Sequence, residues 1–472
     1  MLTRFKVNGF KNLKNVDLRF GLFTCIAGAN GVGKSNLFDA IEFLSNLASK
    51  QIVDAATLVR GANGLASDVQ TLFNFDKNHK PQPMEFLVEA IVPKEVTDDF
   101  DRTSKTTATY LEYSLTLCLR DDPNAKEPIY IQKEILRKID RQEVPQRLGF
   151  TKSKNFIKEF IVYKPSSNAP FIDTVVDETG STTLKLRGEG HRSGQPLKVP
   201  AEKTPQTLLS SIHSTSHPTA LAMRREMQSW QLIQLEPTAL RAPDDFASDS
   251  KISVKGDHMP SALHRIGLYA DVAANLSQLI SGIEAVEVDH NEVRKLRTLQ
   301  VRMAGQTYPA SALSDGTLRF LALAIMACDP KAGGLTCMEE PENGIHPLRI
   351  PQIVNLVRQH SDVTNQEDAT WDDIAELRQV IINTHSPLVV AEIPAEDLLV
   401  AESYRLGKTQ GVQFKPIQGH WRDRFEDHSN GFFTKGQAQA YLNGQAHKSS
   451  PKSVSAWALS NPGEAPHQLH LV

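Results

Sequence analysis

Leu2-Thr-Arg-Phe-Lys-Val alternates apolar with polar residues, turns at Asn8-Gly9, and Leu13–Phe20 alternates again with Val16, Leu18 and Phe20 on one face. A period of two predicts half-buried strands, here a small sheet leading into the next segment. Thr24–Ala27 is mostly apolar and predicts a buried strand, and Leu37, Ile41, Phe43 and Leu44 predict a helix over Asn36–Ser45. Beyond the loop-rich Leu58–Phe75, strands are expected at Phe86–Val92, Tyr110–Arg120, Tyr130–Lys138 and Asn155–Val162. The polar stretch between Thr179 and Pro205 reads as a surface excursion. From Thr207 the texture turns helical. Ser261–Ile280, behind Pro260, predicts a pair of amphipathic helices, and Ile283–Val288 with Leu296–Ala304 a hairpin. Thr317–Cys328, Leu335–Met338, Ile350–His360 and Gln379–Asn383 then run helix, strand, helix, strand, the rhythm of an α/β sheet. Prolines punctuate the chain from residue 81 to 260 and no heptad run persists, which excludes a long coiled-coil arm.

Composition changes this picture little. The 472 residues are 40% hydrophobic and 23% charged, ordinary for a globular chain. A net charge of −3 gives no global basic field for a nucleic-acid partner. The four cysteines are far apart with no CxxC pair, as expected of reduced thiols. Met1-Leu-Thr-Arg lacks a signal-peptide core and the longest apolar run, Phe320–Cys328, is too short to cross a bilayer, so a cytoplasmic protein without a membrane partner is expected.

Candidate chemistry sits at the strand ends. Gly28-Ala29-Asn30-Gly31-Val32-Gly33-Lys34-Ser35 fits GxxxxGK[ST], between a predicted strand and the helix opening at Asn36. Glycines let consecutive N–H groups turn toward an anion, Lys34 supplies a charge for the β- and γ-phosphates, and Ser35 offers a hydroxyl to Mg²⁺. Leu313-Ser314-Asp315-Gly316-Thr317 precedes an apolar helix. Ser314, the Gly316 amide and the helix N-terminus form a second candidate anion surface, or an ordinary N-cap. Leu335-Thr-Cys-Met-Glu339-Glu340-Pro-Glu-Asn-Gly-Ile-His-Pro347 is a short strand ending in paired acids. Facing the cradle, Glu339 is placed to hold the metal and Glu340 to deprotonate an attacking water. Gln379–Pro387 ends in His385, which beside the cradle can hydrogen-bond a γ-phosphate.

In this order and spacing the four motifs resemble the ATP-binding-cassette-type ATPase head shared by SMC proteins, RecF and OLD-family proteins; EEPENGIHP and THSP most resemble the OLD-like AAA_21 ATP-binding proteins. The resemblance implies an α/β P-loop NTPase fold with a β-rich N-terminal lobe and a helical signature lobe. It also implies ATP and Mg²⁺ as cofactors and hydrolysis by an ATP-sandwiched homodimer, open to higher assembly. By position, Gly28–Asn36 bind phosphate, with Lys34 also catalytic, and Ser35 and Glu339 hold the metal. Glu340 is the base, His385 the switch histidine, and Leu313–Thr317 the signature that touches the opposite subunit's ATP. Glu339 stands where Asp is commoner. Gln51 is a candidate for the metal-proximal glutamine, with Arg60 nearby.

The head is expected over 1–400, including a β-rich insertion at 76–205 and a helical and hairpin lobe at 206–310, with a short cap or partner-docking tail at 401–472. No Asp-x-Asp pair follows Glu402, so a built-in TOPRIM nuclease is not expected. A separately encoded effector, nuclease or toxin, is the expected partner, in anti-phage defence or DNA maintenance; a RecF-like DNA clamp is the alternative. The basic groups Lys152/Lys154/Lys158, Arg224/Arg225 and Arg294/Lys295/Arg297 are solvated faces or nucleic-acid contacts. Trp421, Phe425, Phe432, Phe433 and Tyr441 either pack against the head or form a docking surface. His213 and His217 lack a third ligand, and no zinc site is expected.

Overall fold

A computed structural model of the chain describes residues 1–444, except 61–65, 77, 123–126, 152, 165–167, 177, 179, 190–195, 330–331, 362–376, 407–408 and 426–430. Lys152 and Thr179, named above, lie outside the described residues.

The centre is a six-stranded sheet in the order Gln231–Ile233, Gly334–Glu339, Arg378–Thr384, Phe23–Ala27, Leu398–Leu406, Thr409–Pro416. All neighbours are parallel except the last pair. Strands covered on both faces read as continuous apolar runs, because neither side meets water. Phe23–Ala27 is buried throughout and so is Gln379–Thr384. Their side chains alternate between two cores. Ile26, Leu335, Cys337 and Ile381 face one core, which holds the helix Lys34–Leu47. Cys25, Ala27, Met338, Val380 and Ile382 face the other, which holds the helices Asp315–Cys328 and Ile350–Gln359.

The first core is closed by an antiparallel eight-stranded sheet. Its order is Leu197–Pro200, Thr182–Leu186, Ile172–Val176, Ile129–Lys138, Tyr110–Leu119, Met84–Ile91, Leu2–Asn8, Val16–Arg19. The two N-terminal strands, expected to make a small sheet with the segment that follows, are instead one margin of this large one, with Phe5 opposite Leu18 and Val7 opposite Val16. Their apolar face needs a partner layer larger than one strand. The expected surface excursion likewise supplies two of the outer strands.

A third correction concerns Asn155–Val162, expected as a strand. Lys154–Phe160 is a helix, because Ser153 caps it by accepting the Phe156 N–H and because Phe156 and Phe160, one turn apart, bring their rings together, tilted by 43° with centroids 4.9 Å apart. The expected helix pair is present as Met259–Ile266 and Tyr269–Leu279, broken at Gly267 with φ +72°. Leu398–Leu406 runs through residue 400, where the head was expected to end, and carries the chain into the last strand of the central sheet. Among the described residues no helix is long and apolar enough to cross a membrane.

Candidate active site

The strand Phe23–Ala27 delivers the chain to a tight loop at Gly28, whose N–H donates to Thr384 O at 3.1 Å. A Cβ at Gly28 would stand 2.7 Å from the Ala401 carbonyl oxygen, and one at Gly33, where φ is +114°, would meet the Asn12 side chain at 2.5 Å. Only glycine fits either place. Lys34–Leu47 begins directly after, with no acidic residue in its first turn, so its positive end stays uncompensated toward the cleft. Lys34 Nζ spans the loop, donating to Gly28 O at 2.6 Å and Ala29 O at 2.8 Å. Burial lowers its pKa, opposed by the nearby Glu340, Glu342 and Glu339 carboxylates.

Glu339 ends its strand, and Glu340 takes a left-handed backbone with φ +44°. In a regular strand consecutive side chains point to opposite faces. The left-handed turn breaks that alternation, so both acids line one cleft. Such a conformation costs a non-glycine residue about 1–3 kcal/mol and persists only where neighbours enforce it. They do: the Glu340 N–H donates to both Asn383 O and Asn383 Oδ1 at 3.1 Å, and Thr384 Oγ1 donates to Glu342. Glu340 Oε1 then lies 2.7 Å from His385 Nδ1.

Arg60 closes the other side. Its Nη1 and Nη2 form a fork on Glu339, at 2.9 and 3.1 Å, while Nε donates to the buried Asp39 at 2.7 Å and Nη2 to Ser35 O at 3.3 Å. Burial would raise the Glu339 carboxyl, but hydrogen bonds from Arg60 and Ser35 and the Arg60 charge hold it below its ordinary value. Gln234, at the end of the edge strand, brings its amide to 3.5 Å from Glu339.

These groups enclose a cleft of about 600 Å³, within the ~300–1,000 Å³ usual for small-molecule sites. Asn30, Gly31, Gly33, Lys34, Ser35 and Asn36 form its floor, and Glu339 and Glu340 one wall. Gly28, Ala29 and Val32 form the inner side of the loop, and His385 reaches the site through Glu340. Ser314 and Gly316 are elsewhere, in a second depression with Ile280, His346 and Arg349. Ser314 caps its own helix, accepting the Thr317 N–H at 3.2 Å, which is the N-cap reading of this residue. Gln51 precedes a short helix and does not line the cleft. Gln234, Arg319, Asn343 and Asn383 line it, and sequence reasoning missed all four as site residues. The usable signal for Gln234 was a short apolar run, Leu232-Ile233, ending in a polar residue before Pro237, as the other site strands end. The hydroxyl of Ser35 and the Glu339 carboxylate are hard oxygen donors that fit an ion keeping several of its waters, such as Mg²⁺.

A family model described as "AAA domain, putative AbiEii toxin, Type IV TA system" (AAA_21) matches residues 23–109 and 204–391, more than half of the chain. No curated protein matches it. Among solved structures, the chain is similar to the Smc head domain with an extended coiled coil bound to the C-terminal domain of ScpA from Pyrococcus furiosus, at 13% identity over 88% of this chain and 96% of that one (TM-score 0.42). It is also similar to the Smc head domain with a coiled coil and joint from Pyrococcus yayanosii, at 11% identity over 94% and 99% (TM-score 0.43). The SMC head domain from Thermotoga maritima matches at 12% identity over 88% and 99% (TM-score 0.36). With the family model matching more than half of the chain, over residues that include the GxxxxGK[ST] loop and the paired strand-end acids, the chain belongs to the AAA_21 family of P-loop ATPases.

Proposed function

We propose that the cleft binds ATP with Mg²⁺ and hydrolyses it, that two copies pair over two nucleotides, and that the resulting cycle regulates a separately encoded effector, a nuclease or toxin. The observation that carries the catalytic part is the Glu340–His385 contact of 2.7 Å at the wall facing Lys34 and Ser35. A carboxylate tied to an imidazole is held in one orientation, the requirement for a general base. Glu340 accepts the proton of a water as its oxygen bonds to the γ-phosphorus; the bond from that phosphorus to the β-bridging oxygen breaks, and ADP leaves with its electron pair. Lys34 and the N–H groups of Gly31–Ser35 hold the phosphates against the helix end. His385 keeps Glu340 aimed. Ser35 and Glu339 would hold Mg²⁺, which when bound offsets charge on the β- and γ-phosphate oxygens. Arg60, which forks onto both Glu339 oxygens, offsets the Glu339 charge.

Pairing is supported by the separation of the Ser314 loop from its own cleft: a polar, capped helix start lies in an open depression where a second copy can present it to another chain's nucleotide. The family description, with its toxin and toxin–antitoxin wording, supports an effector-linked role. Glu340→Gln should lower ATP turnover at least a hundredfold, the scale of a lost general base. The same variant should remain paired in ATP and Mg²⁺ by light scattering, and Ser314→Arg should be monomeric. Normal turnover by Glu340→Gln would sink the assignment of the base, and unimpaired pairing and turnover by Ser314→Arg would sink the shared site.

A further inference from the structure

The Glu340–His385 contact joins two turns, and a buried acid outside the cleft joins them a second time. Glu342 does not line the cleft. It is 7% exposed, in a turn closed by the Asn343 N–H on Glu340 O at 2.9 Å and the Ile345 N–H on Glu342 O at 3.0 Å. Against it, the strand Arg378–Thr384 ends in the fully buried Thr384, whose carbonyl accepts the Gly28 N–H of the phosphate loop. The Thr384 hydroxyl donates to Glu342 Oε1 and accepts the Ser386 N–H at 2.9 Å. A hydroxyl has one proton to give and lone pairs to receive with, and here both are used. His385 is the residue between Thr384 and Ser386. Its two neighbours are therefore held by one hydroxyl, and that hydroxyl is held by the acid two residues beyond Glu340.

We infer that Glu342 is a positioning residue that acts through the Thr384 hydroxyl to hold His385 against Glu340, and so keeps the base aimed. This rests on the ATPase reading above and adds to it a residue that works from outside the cleft. The chemistry of the acid favours such a role over simple filling. Among the described residues Glu342 Oε2 has no hydrogen-bond partner, and a buried polar atom left that way is costly. An apolar side chain would fill the space without that cost. What it would lack is an acceptor for Thr384. Without one, the threonine side chain is free to leave the rotamer in which its oxygen meets the Ser386 N–H, since such local bonds compete with other arrangements. Burial also raises the Glu342 carboxyl above its ordinary value, so the neutral amide of glutamine is a close stand-in for it. Aim matters because misplacing a catalytic group by about 1 Å can cost up to ~100-fold in rate.

Two measurements test this. The first needs no nucleotide: hydrogen exchange at the Ser386 amide in wild type, Glu342→Ala, Glu342→Gln and Thr384→Val. Glu342→Ala and Thr384→Val should speed exchange about tenfold, and Glu342→Gln by less than about threefold. The second is ATP turnover. Glu342→Ala and Thr384→Val should lower kcat about tenfold with KM within about twofold, and Glu342→Gln should stay within about threefold of wild type. On a His385→Ala background, Glu342→Ala should cost nothing further, because the group it positions is gone. An acid that only supports the fold would instead give losses that add. Thr384→Val keeps the shape of its side chain, so it decides the matter should Glu342→Ala fail to fold. Unchanged Ser386 exchange in Glu342→Ala and Thr384→Val overturns the inference. So does an equal loss with and without His385, or a Glu342→Gln as slow as Glu342→Ala. A rise of about tenfold in KM for Glu342→Ala overturns it too, by making Glu342 part of the cleft. A wild type that turns over no ATP would refute the ATPase reading, while the exchange measurement would still decide whether Glu342 holds the turn at His385.

Discussion

A carboxyl group removed from water is a weak acid, and Glu134 is a clear instance in this chain. Its Oε2 accepts the Leu208 N–H at 2.8 Å, and its Oε1 accepts the Leu209 N–H at 2.9 Å and the Tyr113 hydroxyl at 3.1 Å. Full burial pushes its pKa up from 4.5 to about 7, and those three donors limit the rise. A carboxyl whose folded pKa exceeds its unfolded one favours the folded state most below the unfolded value and loses that contribution as pH rises through about 7. The stability difference between wild type and Glu134→Gln, from urea unfolding, should therefore shrink by roughly 1–3 kcal/mol between pH 5 and pH 8. A difference that stays level would refute the buried-acid account. Glu340 makes the complementary point. Its left-handed backbone, set by Asn383, decides that it faces the same cleft as Glu339, and nothing in the dipeptide Glu-Glu announces that.

At the scale of elements, the helix Asp315–Cys328 starts at a serine cap. Ser314 satisfies an orphan N–H at the helix start and keeps its hydroxyl on the surface, where Ser314 Oγ and Thr317 Oγ1 are 2.9 Å apart. Ser314→Ala should cost about 1 kcal/mol in urea unfolding, as lost N-caps do, while nucleotide affinity of the single chain is kept. A stability equal to wild type would show that another group caps the helix. The segment Lys154–Phe160 shows how a short apolar run misleads: Phe156, Ile157, Phe160 and Ile161 recur at helical spacing, and the Ser153 cap and the contact of two phenylalanine rings one turn apart agree with the helix.

For the whole molecule, the last described segments are part of the head. Thr409–Pro416 extends the central sheet, and Trp421–Phe425 packs on Phe150, with ring centroids of Trp421 and Phe150 6.3 Å apart. Arg422 is buried there. Its Nε donates to Arg19 O and its Nη2 to Thr24 Oγ1, both at 2.9 Å, and its Nη1 donates to Glu396 O. Two strands near the chain start and the turn at Glu396 thus share one guanidinium. Arg422→Ala should destabilise the chain by about 1–3 kcal/mol, the scale of buried acceptors left without a donor. It should also lower the thermal midpoint without nucleotide, since Thr24 lies in the strand that delivers the phosphate loop. An unchanged midpoint would mean the segment is dispensable to the head. Tyr441 brings its hydroxyl to 3.5 Å from Ala401 O, the carbonyl that a Cβ at Gly28 would strike, so the end of the described chain buttresses the loop itself.

What the sequence by itself determined was local: the glycines and Lys34 of the loop, three apolar strands of the central sheet (Thr24–Ala27, Leu335–Met338 and Gln379–Asn383), the capped helix after Ser314 and the acids at a strand end. These depend on neighbours within a few residues and on periodicity, which a linear pattern carries. What only the tertiary structure decided was which groups from distant segments meet. Arg60 reaches Glu339 across 279 positions, Gln234 approaches it from a strand no motif marked, and the eight-stranded sheet recruits a stretch that reads as surface. Such contacts follow from how layers pack and where backbone polar groups find partners, and no window of neighbouring residues contains that information.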